Sequence, residues 1–445
     1  MFYIVESKSQ LDYICALGRN GCYVEVISGN DNFHPKLTFT VALYIRPLQH
    51  KEGYIIPVNH TEGLNVGVEK VESILNCFDT KYVVNKKEFL YHFKTKGLID
   101  LALVYSLKNY ETLSLPNPPA AINWYYNKHR SNPELNKIIP ISKLFEKCER
   151  NYRSIEDLFE QAEEIVSQQA WKFYNDVATA VYYTMEQPGL KIKTEEFIEL
   201  FKPNTPEYSI DGDKVYTSYN PYNITSRPTN AFNSVNFAAI PKKGNHRETI
   251  TPVNDYFVEF DFDGYHIRLL SELVGEPITG LSAHTELAKM YFEKQGITEE
   301  EYNQGKQITF QIVYGKIPEE YSHVELFKKI DDYIKNLWKT YKSQGYIEDP
   351  ISKRRLTSEL KEMHPQKLMN YMMQSLETSR NIRILYKVLK YLQDKHTSVT
   401  LYTYDAILFD FDKRDGKQTL EDIQKILSEN NSYPVKFKAS KNLVL

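Results

Sequence analysis

Short runs of branched and aromatic residues, separated by polar segments, mark the N-terminal quarter of the chain. Runs of this kind, bounded by Gly, Asn and Pro, predict β-strands over residues 2–5, 23–27, 37–45, 54–58 and 82–84. Amphipathic stretches on either side of the last strand predict helices over residues 68–78 and 86–93. This order indicates a mixed α/β module whose sheet begins with antiparallel strands.

Helical patterns dominate the remainder of the chain. We predict helical structure over residues 154–184 and 284–346, and two further helices within 356–395. Residues 216–236 are crowded with Asn, Ser, Thr and Pro, which indicates a long loop of the kind that is often functional in enzymes. A strand pair over 398–411, followed by a short α/β segment, is predicted to complete the chain.

One predicted strand carries its carboxylates on a single face. In residues 256–263 the odd positions Glu259, Asp261 and Asp263 are acidic, while the even positions are aromatic or branched. Because side chains alternate along a strand, the three carboxylates should share one face, where they repel one another unless cations or solvent compensate. The alternative interpretation is a solvated strand at the edge of a sheet.

A second candidate carboxylate lies in a strongly apolar run. Asp405 is the only charged residue in the stretch 401–409. Burying an unpaired carboxylate is costly, so Asp405 needs a hydrogen-bonding partner or a metal ion. A structural aspartate with hydrogen-bonding partners remains the alternative.

Between these two strands, one predicted helix combines a cation with two rings. Lys306, Phe310 and Tyr314 recur every fourth residue and therefore share a helix face, and Gly315 and Pro318 predict the end of the helix. A cation beside exposed rings suits a nucleoside triphosphate, since the ammonium meets phosphate and a ring stacks on the base. The segment is not a phosphate-binding P-loop, because the required upstream glycine and following Ser or Thr are missing.

Composition and charge narrow the class of protein. With 445 residues the chain is too long for one ordinary domain, and its 42% hydrophobic content can form a large core. A net charge of -3 and a pI near 6.4 argue against a protein that coats nucleic acid indiscriminately. Local basic surfaces remain possible at Lys242-Lys243 and at Lys353-Arg354-Arg355, for which solvated loops are the alternative.

The sequence indicates a cytoplasmic protein, in the host cytoplasm if the source is a virus. No apolar run approaches the ~18 residues of a membrane-spanning helix, and residues 1–6 lack the basic start of a secretory signal. The cysteines form no C-x-x-C pair, so we expect buried free thiols at Cys15, Cys22, Cys77 and Cys148.

The order and separation of these motifs resemble those of family A DNA polymerases, the bacterial polymerase I-like family. The segment from Asp261 to Arg268 resembles motif A of that family, and the Lys306-x3-Phe310-x3-Tyr314-Gly315 face resembles motif B. Tyr404-Asp405 falls where motif C places the second catalytic aspartate. Lesser similarities occur at Arg227, Asn236, His284, Asn370 and Gln374.

The resemblance implies a compact, phage-type, template-directed DNA polymerase that uses primer-template DNA and dNTPs. It implies that Asp261 and Asp405, with the Phe262 carbonyl, bind two Mg²⁺ ions, for which Mn²⁺ can substitute. Lys306 is then catalytic. The implied dNTP-binding residues are Phe310, Tyr314, His266 and His284. The implied or expected nucleic-acid contacts are Arg227, Asn236, Lys242, Lys243, Arg268, Arg354, Arg355, Asn370 and Gln374.

The same resemblance implies an α/β (α+β) fold in two parts. Residues 1–165 resemble an RNase H-like 3′–5′ exonuclease module, and residues 166–445 a right-hand polymerase domain, with the palm over about 207–275 and 345–445 and the fingers over about 276–344. Little chain separates Gly189 from Arg227, so we expect a reduced or absent thumb and dependence on a processivity or replisome partner. Glu25 and Ile27 replace the exonuclease D-x-E pair, which predicts a module without proofreading activity.

Three positions depart from the family pattern. Tyr302 stands where the family has an Arg, His266 stands where a Glu screens out ribose, and Ala406 follows Asp405 where a Glu is usual. We expect a retained preference for deoxyribose, because His266 can still hydrogen-bond Tyr314 and crowd the sugar. Two alternatives stay open: a catalytically weak or inactive nucleic-acid-binding replication factor, and a polymerase with relaxed sugar selectivity.

Overall fold

The computed structural model describes residues 3–18, 21–230, 235–315, 317–429 and 432–445. By its contacts the chain forms two compact units, Met1–Tyr222 with Thr229–Ala239, and Asn223–Pro228 with Ile240–Leu445. The domain boundary at residue 165 was drawn from the resemblance and stays a prediction. Within the described ranges, no helix is both long enough and apolar enough to span a membrane.

The first unit is built on a six-stranded sheet. Its strands are β1 (Tyr3–Ile4), β2 (Cys22–Ser28), β3 (Thr40–Pro47), β4 (Tyr54–Pro57), β5 (Lys81–Val83) and β6 (Leu98–Asp100), in the order β1-β4-β3-β2-β5-β6. Strands β2, β3 and β4 form an antiparallel meander, and β5 and β6 continue the sheet parallel to β2. This is the mixed α/β sheet with antiparallel first strands that the sequence predicted, and its relation to an RNase H-like module stays a prediction. Strand β6 was missed, and Phe2 of the first predicted strand lies outside the described residues.

Helices surround this sheet and bury its apolar side chains. They are α1 (Lys8–Ala16), α2 (Val68–Leu75), α3 (Lys86–Phe89), α4 (Leu101–Asn109), α5 (Ala120–Lys128), α6 (Leu135–Ile138), α7 (Ile141–Ser154), α8 (Asp157–Ile165), α9 (Gln169–Lys172), α10 (Thr179–Glu186) and α11 (Thr194–Phe201). A π-helical turn, Phe173–Ala178, joins α9 to α10. The helical structure predicted over residues 154–184 is therefore present but divided.

The cysteine prediction is half wrong. Cys15 and Cys77 form a disulfide, whereas Cys22 and Cys148 are buried free thiols as expected. The pairing follows from the packing of α1 against the end of α2, which brings the two Cα atoms to 5.4 Å, within the range that a disulfide requires. Sequence spacing alone carries no sign of this proximity.

The chain between Gly189 and Arg227 is short of helix. These residues, all of them described, contain α11, two 3₁₀ turns and the small strands β7 (Leu190–Ile192), β8 (Ile210–Asp211) and β9 (Lys214–Val215). Strands β7 and β8 pair on either side of β9. The segment therefore holds no long helical hairpin, and the reduced thumb stays a prediction.

The second unit contains the strands β10 (Ile250–Thr251), β11 (Tyr256–Phe262), β12 (Tyr346–Glu348), β13 (Arg355–Thr357), β14 (Ser398–Thr403), β15 (Ala406–Phe411) and β16 (Val435–Ser440). Four of them form an antiparallel sheet in the order β14-β15-β11-β16, and β12 and β13 form a separate hairpin. Its helices are α12 (Tyr265–Leu273), α13 (Ala283–Phe292), α14 (Glu299–Tyr314), α15 (Glu325–Gln344), α16 (Pro365–Tyr391) and α17 (Gly416–Leu427).

Two predictions for this unit are corrected. Strand β11 pairs on both sides, with β15 and β16, so it is not the solvated edge strand of the alternative interpretation. The two helices expected within residues 356–395 are one helix, α16, preceded by β13. Pro365 begins α16 and no Gly or Pro interrupts it, so nothing in its backbone chemistry ends the helix early.

His34 is a buried imidazole whose two ring nitrogens are both used. Its Nδ1 accepts a hydrogen bond from the Lys36 N–H at 3.2 Å, and its Nε2 donates to the Thr217 carbonyl at 2.9 Å. Only the neutral ring can make both bonds. Burial, reinforced by the nearby Lys87 ammonium, lowers the pKa of His34 from 6.5 to about 3.

We predict that His34 makes the protein acid-labile. Because its pKa is lowered by folding, its contribution is fully present above pH 6.5 and is lost as pH falls towards 3, at about 1.4 kcal/mol per pH unit. Urea unfolding between pH 7 and pH 4 should show a flatter pH dependence for His34→Gln than for the wild type. The exposed His323→Gln control should keep the wild-type slope, and equal slopes for all three proteins would contradict the prediction.

Candidate active site

Two aspartates lie side by side on neighbouring strands of the second unit. Asp261 is near the end of β11, in register with Ala406, the first residue of β15. Asp405 is the residue before it, and its carbonyl accepts a hydrogen bond from the Phe262 N–H at 3.0 Å. The structure therefore brings together two side chains that are remote in sequence, through the antiparallel pairing of β11 with β15.

The turn that carries Asp405 is held from several directions. Tyr404 has a left-handed backbone with φ of 68°, a conformation that costs a residue with a side chain about 1–2 kcal/mol. The Asn381 side-chain amide donates to the Tyr404 carbonyl at 2.8 Å. The Arg227 guanidinium lies over the Tyr404 ring, 3.8 Å from its centroid. These contacts hold the strained turn and so fix the position of the Asp405 carboxylate.

The two carboxylates are poorly compensated by the protein. Burial, followed by repulsion from Asp405 and Glu259, raises the pKa of Asp261 to about 6. The pKa of Asp405 is also raised, first by burial and then by repulsion from Glu377. A pair of this kind is stabilised by any cation that binds between its members.

The third carboxylate of the predicted acidic face has a different role. Strand β11 ends at Phe262, and Asp263 lies in the turn that follows, where it is buried. It accepts hydrogen bonds from the Ala283 N–H at 2.6 Å, the Arg268 guanidinium at 3.2 Å and the Lys436 ammonium at 2.5 Å. Asp263 therefore anchors the turn, and the acidic face of β11 consists of Glu259 and Asp261.

This turn requires glycine next to Asp263. Gly264 has φ of 56°, and a Cβ at that position would lie 2.6 Å from the Ala283 Cβ. A side chain would add a left-handed strain and a steric clash at the same site. Helix α12 begins immediately afterwards, so the tight turn brings His266, on its first turn, next to the aspartates.

One face of α14 is directed at the aspartate pair. Phe310 and Tyr314 are about half exposed, and their rings stack with centroids 6.0 Å apart. The Lys306 ammonium lies 6.0 Å from the Phe310 centroid. On the opposite face, Gly305 allows close packing against Ala288 of α13. The helix thus packs through its small residues and leaves the cation and the two rings accessible.

His266 and Glu377 hold Tyr314 in place. The Tyr314 hydroxyl is 2.7 Å from His266 Nδ1, and the Glu377 carboxylate lies 3.3 Å from His266 Nε2 and 3.0 Å from Arg227 Nε. Burial, followed by the Glu377 charge, raises the pKa of Tyr314 to about 12. Sequence reasoning missed Glu377. The only signal for this residue is its acidic side chain within an otherwise buried part of α16.

These groups line a single pocket of about 230 Å³. Its walls include the expected residues Arg227, Asp261, Phe262, His266, His284, Lys306, Phe310, Tyr314 and Asp405, together with Tyr302, Glu377 and Lys436, which were not predicted to bind substrate. Lys436 comes from β16, where a period-two pattern of exposed lysines was the available signal. The pKa of His284 is lowered by burial.

Two of the predicted nucleic-acid contacts, Arg268 and Arg354, have buried guanidinium groups. Arg268 is buried, and its guanidinium donates to three backbone carbonyls and to the Asp263 carboxylate. Arg354 is also buried and donates to the Ser226 hydroxyl and the Asn223 carbonyl. Both guanidinium groups hold the protein chain together, which fits a structural role better than contact with a phosphate backbone.

Apart from Arg227, the other predicted nucleic-acid contacts do not line the pocket. Gln374 lies half-buried on α16 and accepts a hydrogen bond from the Thr225 hydroxyl at 3.3 Å. Arg355 is exposed and pairs with Glu348 at 3.3 Å. The remaining four are the half-buried Asn370 and the exposed Asn236, Lys242 and Lys243. Their roles stay predictions.

The aspartate pair suits a hard divalent cation. Among the described residues, no group of three or more His, Cys, Asp or Glu side chains has the geometry of a metal site. Mg²⁺, however, needs few protein ligands, because it keeps several waters and takes further oxygens from substrate phosphates. Two carboxylates whose pKa values are raised by burial and repulsion offer the oxygen donors and the uncompensated charge that such an ion requires.

The comparisons with known proteins concern the fold. No protein-family model and no curated sequence matches the chain. Among solved structures, the polymerase domain of Pol1 from M. smegmatis, in complex with a DNA primer-template and dNTP, aligns over 99% of this chain and 99% of its own. The TM-score is 0.69 and the sequence identity is 12%. The chain therefore has the fold of the polymerase domain of a bacterial Pol1.

Proposed function

We propose that this chain is a template-directed DNA polymerase that transfers nucleotidyl groups from dNTPs to a primer 3′-hydroxyl. The observation that carries the proposal is the pocket of about 230 Å³, in which a carboxylate pair on adjacent strands faces a helix displaying a cation and two rings. The Pol1 domain of the same fold was solved with a primer-template and dNTP.

The face of α14 supports recognition of the incoming nucleotide. Its ammonium, from Lys306, is exposed and can neutralise charge on the triphosphate as the leaving group forms. The stacked, half-exposed rings of Phe310 and Tyr314 offer an apolar surface to the base. Together these groups can place the triphosphate against the aspartates, and positioning of this kind is the main protein contribution to phosphoryl transfer.

The aspartate pair supports binding of the catalytic ions. Asp261 and Asp405, with the Phe262 carbonyl as a third donor, would hold two Mg²⁺ ions, and Mn²⁺ would be accepted in their place. The bound ions supply charge neutralisation and activation of the 3′-hydroxyl. Asn381, Arg227 and the Tyr404 turn keep the Asp405 carboxylate in place for that role.

Primer-template DNA is the proposed partner of the second unit. Arg227 is partly exposed and lies beside the aspartates, where it can meet the primer end. Phosphate contacts by Lys242, Lys243 and Arg355 would make binding sensitive to salt. The absence of a helical hairpin from residues 189–227 supports a weak grip on duplex DNA and a need for a processivity partner.

The first unit is proposed to act without proofreading. A pocket of about 330 Å³ in this unit is lined by Glu25, whereas Ile27, at the second position of the expected acidic pair, is not among its lining residues. The Glu25 carboxylate accepts hydrogen bonds from Tyr23 and Asn151, both at 2.9 Å. The Lys147 ammonium lies in the same pocket, so part of the space for divalent ions is taken by a side-chain cation.

We predict that the protein leaves a labelled single-stranded DNA intact when it is incubated with Mg²⁺. Replacement of a metal ligand by Ile27 should remove most of the metal affinity of a nuclease site. The measurement is a denaturing gel over a time course, with a proofreading polymerase as the positive control. Progressive loss of the 3′ end, retained in an Asp405→Asn variant, would contradict the prediction.

The catalytic proposal predicts that Asp261→Asn and Asp405→Asn each reduce primer extension by at least 10³-fold, because each removes a charged ion ligand from the pair. Product formation on a primed DNA template with dNTPs and Mg²⁺ is the measurement. The exposed Asp394→Asn is the matched control and should extend like the wild type. Equal extension by all variants would mean that the catalytic site does not include the aspartate pair. If no protein extends the primer, the wild type included, the result would favour the inactive nucleic-acid-binding alternative.

The contact between His266 and Tyr314 predicts sugar selectivity. We expect the wild type to prefer dNTPs to NTPs, because the 2.7 Å hydrogen bond holds the Tyr314 ring beside the substrate pocket. In His266→Ala the ring is released, and the ratio of kcat/KM for dNTP over NTP should fall about tenfold, the effect of losing about 1.4 kcal/mol. Tyr314→Phe, which keeps the ring and removes the hydroxyl, tests the same bond. A wild type that uses both sugars equally would instead support relaxed selectivity.

A further inference from the structure

Lys436 enters the candidate active site from the last strand of the chain. Strand β16 runs antiparallel beside β11, with Lys436 in register with Asp261. The Lys436 side chain lines the same pocket as Lys306 and Tyr302. The Tyr302 side chain is also near enough to interact electrostatically with the Lys436 ammonium. Two cations, from α14 and from β16, therefore share this pocket.

The Lys436 charge is not needed to balance its ion-pair partner. Asp263 is already paired with the Arg268 guanidinium at 3.2 Å and accepts the Ala283 N–H at 2.6 Å. The Arg268 and Asp263 side chains are only 3% and 2% exposed, whereas the Lys436 side chain is 57% exposed. One carboxylate thus meets two cations, and the Lys436 ammonium is the more accessible of the two.

The face of α14 leaves a place for such a charge. The exposed face of α14 carries a residue at every fourth position, and Lys306 is the cation of this series. Tyr302, one helical turn before Lys306, is neutral. A triphosphate carries several negative charges, and phosphoryl transfer depends on their neutralisation by positioned cations. The Lys436 side chain lines the same pocket as Tyr302 and brings to it a cation from outside α14.

We propose that Lys436 is a substrate-binding residue that contacts the phosphates of the incoming dNTP together with Lys306. This inference rests on the proposed polymerase function and adds to it a residue from outside the three motifs. Strand β16 then takes part in substrate binding. The Lys436 ammonium donates to the Asp263 carboxylate until a more strongly charged group, the triphosphate, enters the pocket.

The experiment compares substitutions along one strand. Lys436→Met removes the ammonium and keeps the length of the side chain, and Lys436→Arg keeps a cation. Lys438→Met is the matched control, since Lys438 is exposed on the same strand, opposite Glu259, and does not line the pocket. We expect Lys436→Met to raise the KM for dNTP by about 10- to 100-fold with a smaller change in kcat, as for a lost charge-assisted contact. Lys436→Arg and Lys438→Met should stay near the wild-type KM.

A second measurement separates substrate binding from a merely structural role at the Asp263 turn. Tyr302→Arg places a guanidinium one helical turn before Lys306, on the same face. In the Tyr302→Arg/Lys436→Met double variant, dNTP affinity should recover to within a few-fold of the wild type. If Lys436 only anchors the turn, the double variant will stay as weak as Lys436→Met, and that result would overturn the proposal.

Affinity is also measured without turnover, as equilibrium dNTP binding to the protein on a dideoxy-terminated primer-template, so that the two proposals fail separately. A wild type that binds dNTP through Lys436 but does not extend a primer contradicts the polymerase proposal alone. A wild type that extends a primer while binding dNTP equally well with Met at position 436 contradicts this inference alone.

Discussion

The site depends on the pairing of strand β11 on both of its edges. Its antiparallel ladder with β15 puts Asp261 next to the turn that carries Asp405, and its ladder with β16 puts Lys436 opposite Asp261. A shift of either ladder by one residue would turn these side chains to the other face of the sheet. The buried aromatic residues on the other face of β11, such as Phe260 and Phe262, specify that register because they cannot be exposed without loss of core packing.

The pocket collects charge of both signs at short range. Repulsion acts between the carboxylates of Asp261, Asp405 and Glu377. The positive charges of Arg227 and Lys436 offset part of this negative charge. The repulsion between these carboxylates is costly, and it raises the pKa values of the two aspartates together with burial. Such a site gains most when divalent cations and a polyanion enter together, and this is the composition that nucleotidyl transfer requires.

The pockets of the two units differ in the side chains that line them. The pocket of the first unit is lined by Glu25 together with a lysine, Lys147. In the second unit a carboxylate pair lies on two neighbouring strands of one sheet. Fold similarity at 12% identity therefore says less about activity than the residues that line each pocket.

Much of this molecule can be inferred from local sequence pattern. Period-two alternation located β11 and its carboxylates, and four-residue spacing located the Lys306, Phe310 and Tyr314 face, because both signals depend only on backbone geometry. Contacts across the fold were decided by tertiary structure: the Glu377 contact with His266, the burial of Arg268, and the arrival of Lys436 from β16. Each depends on which distant elements pack together and in what register, and no short stretch of sequence encodes that information by itself.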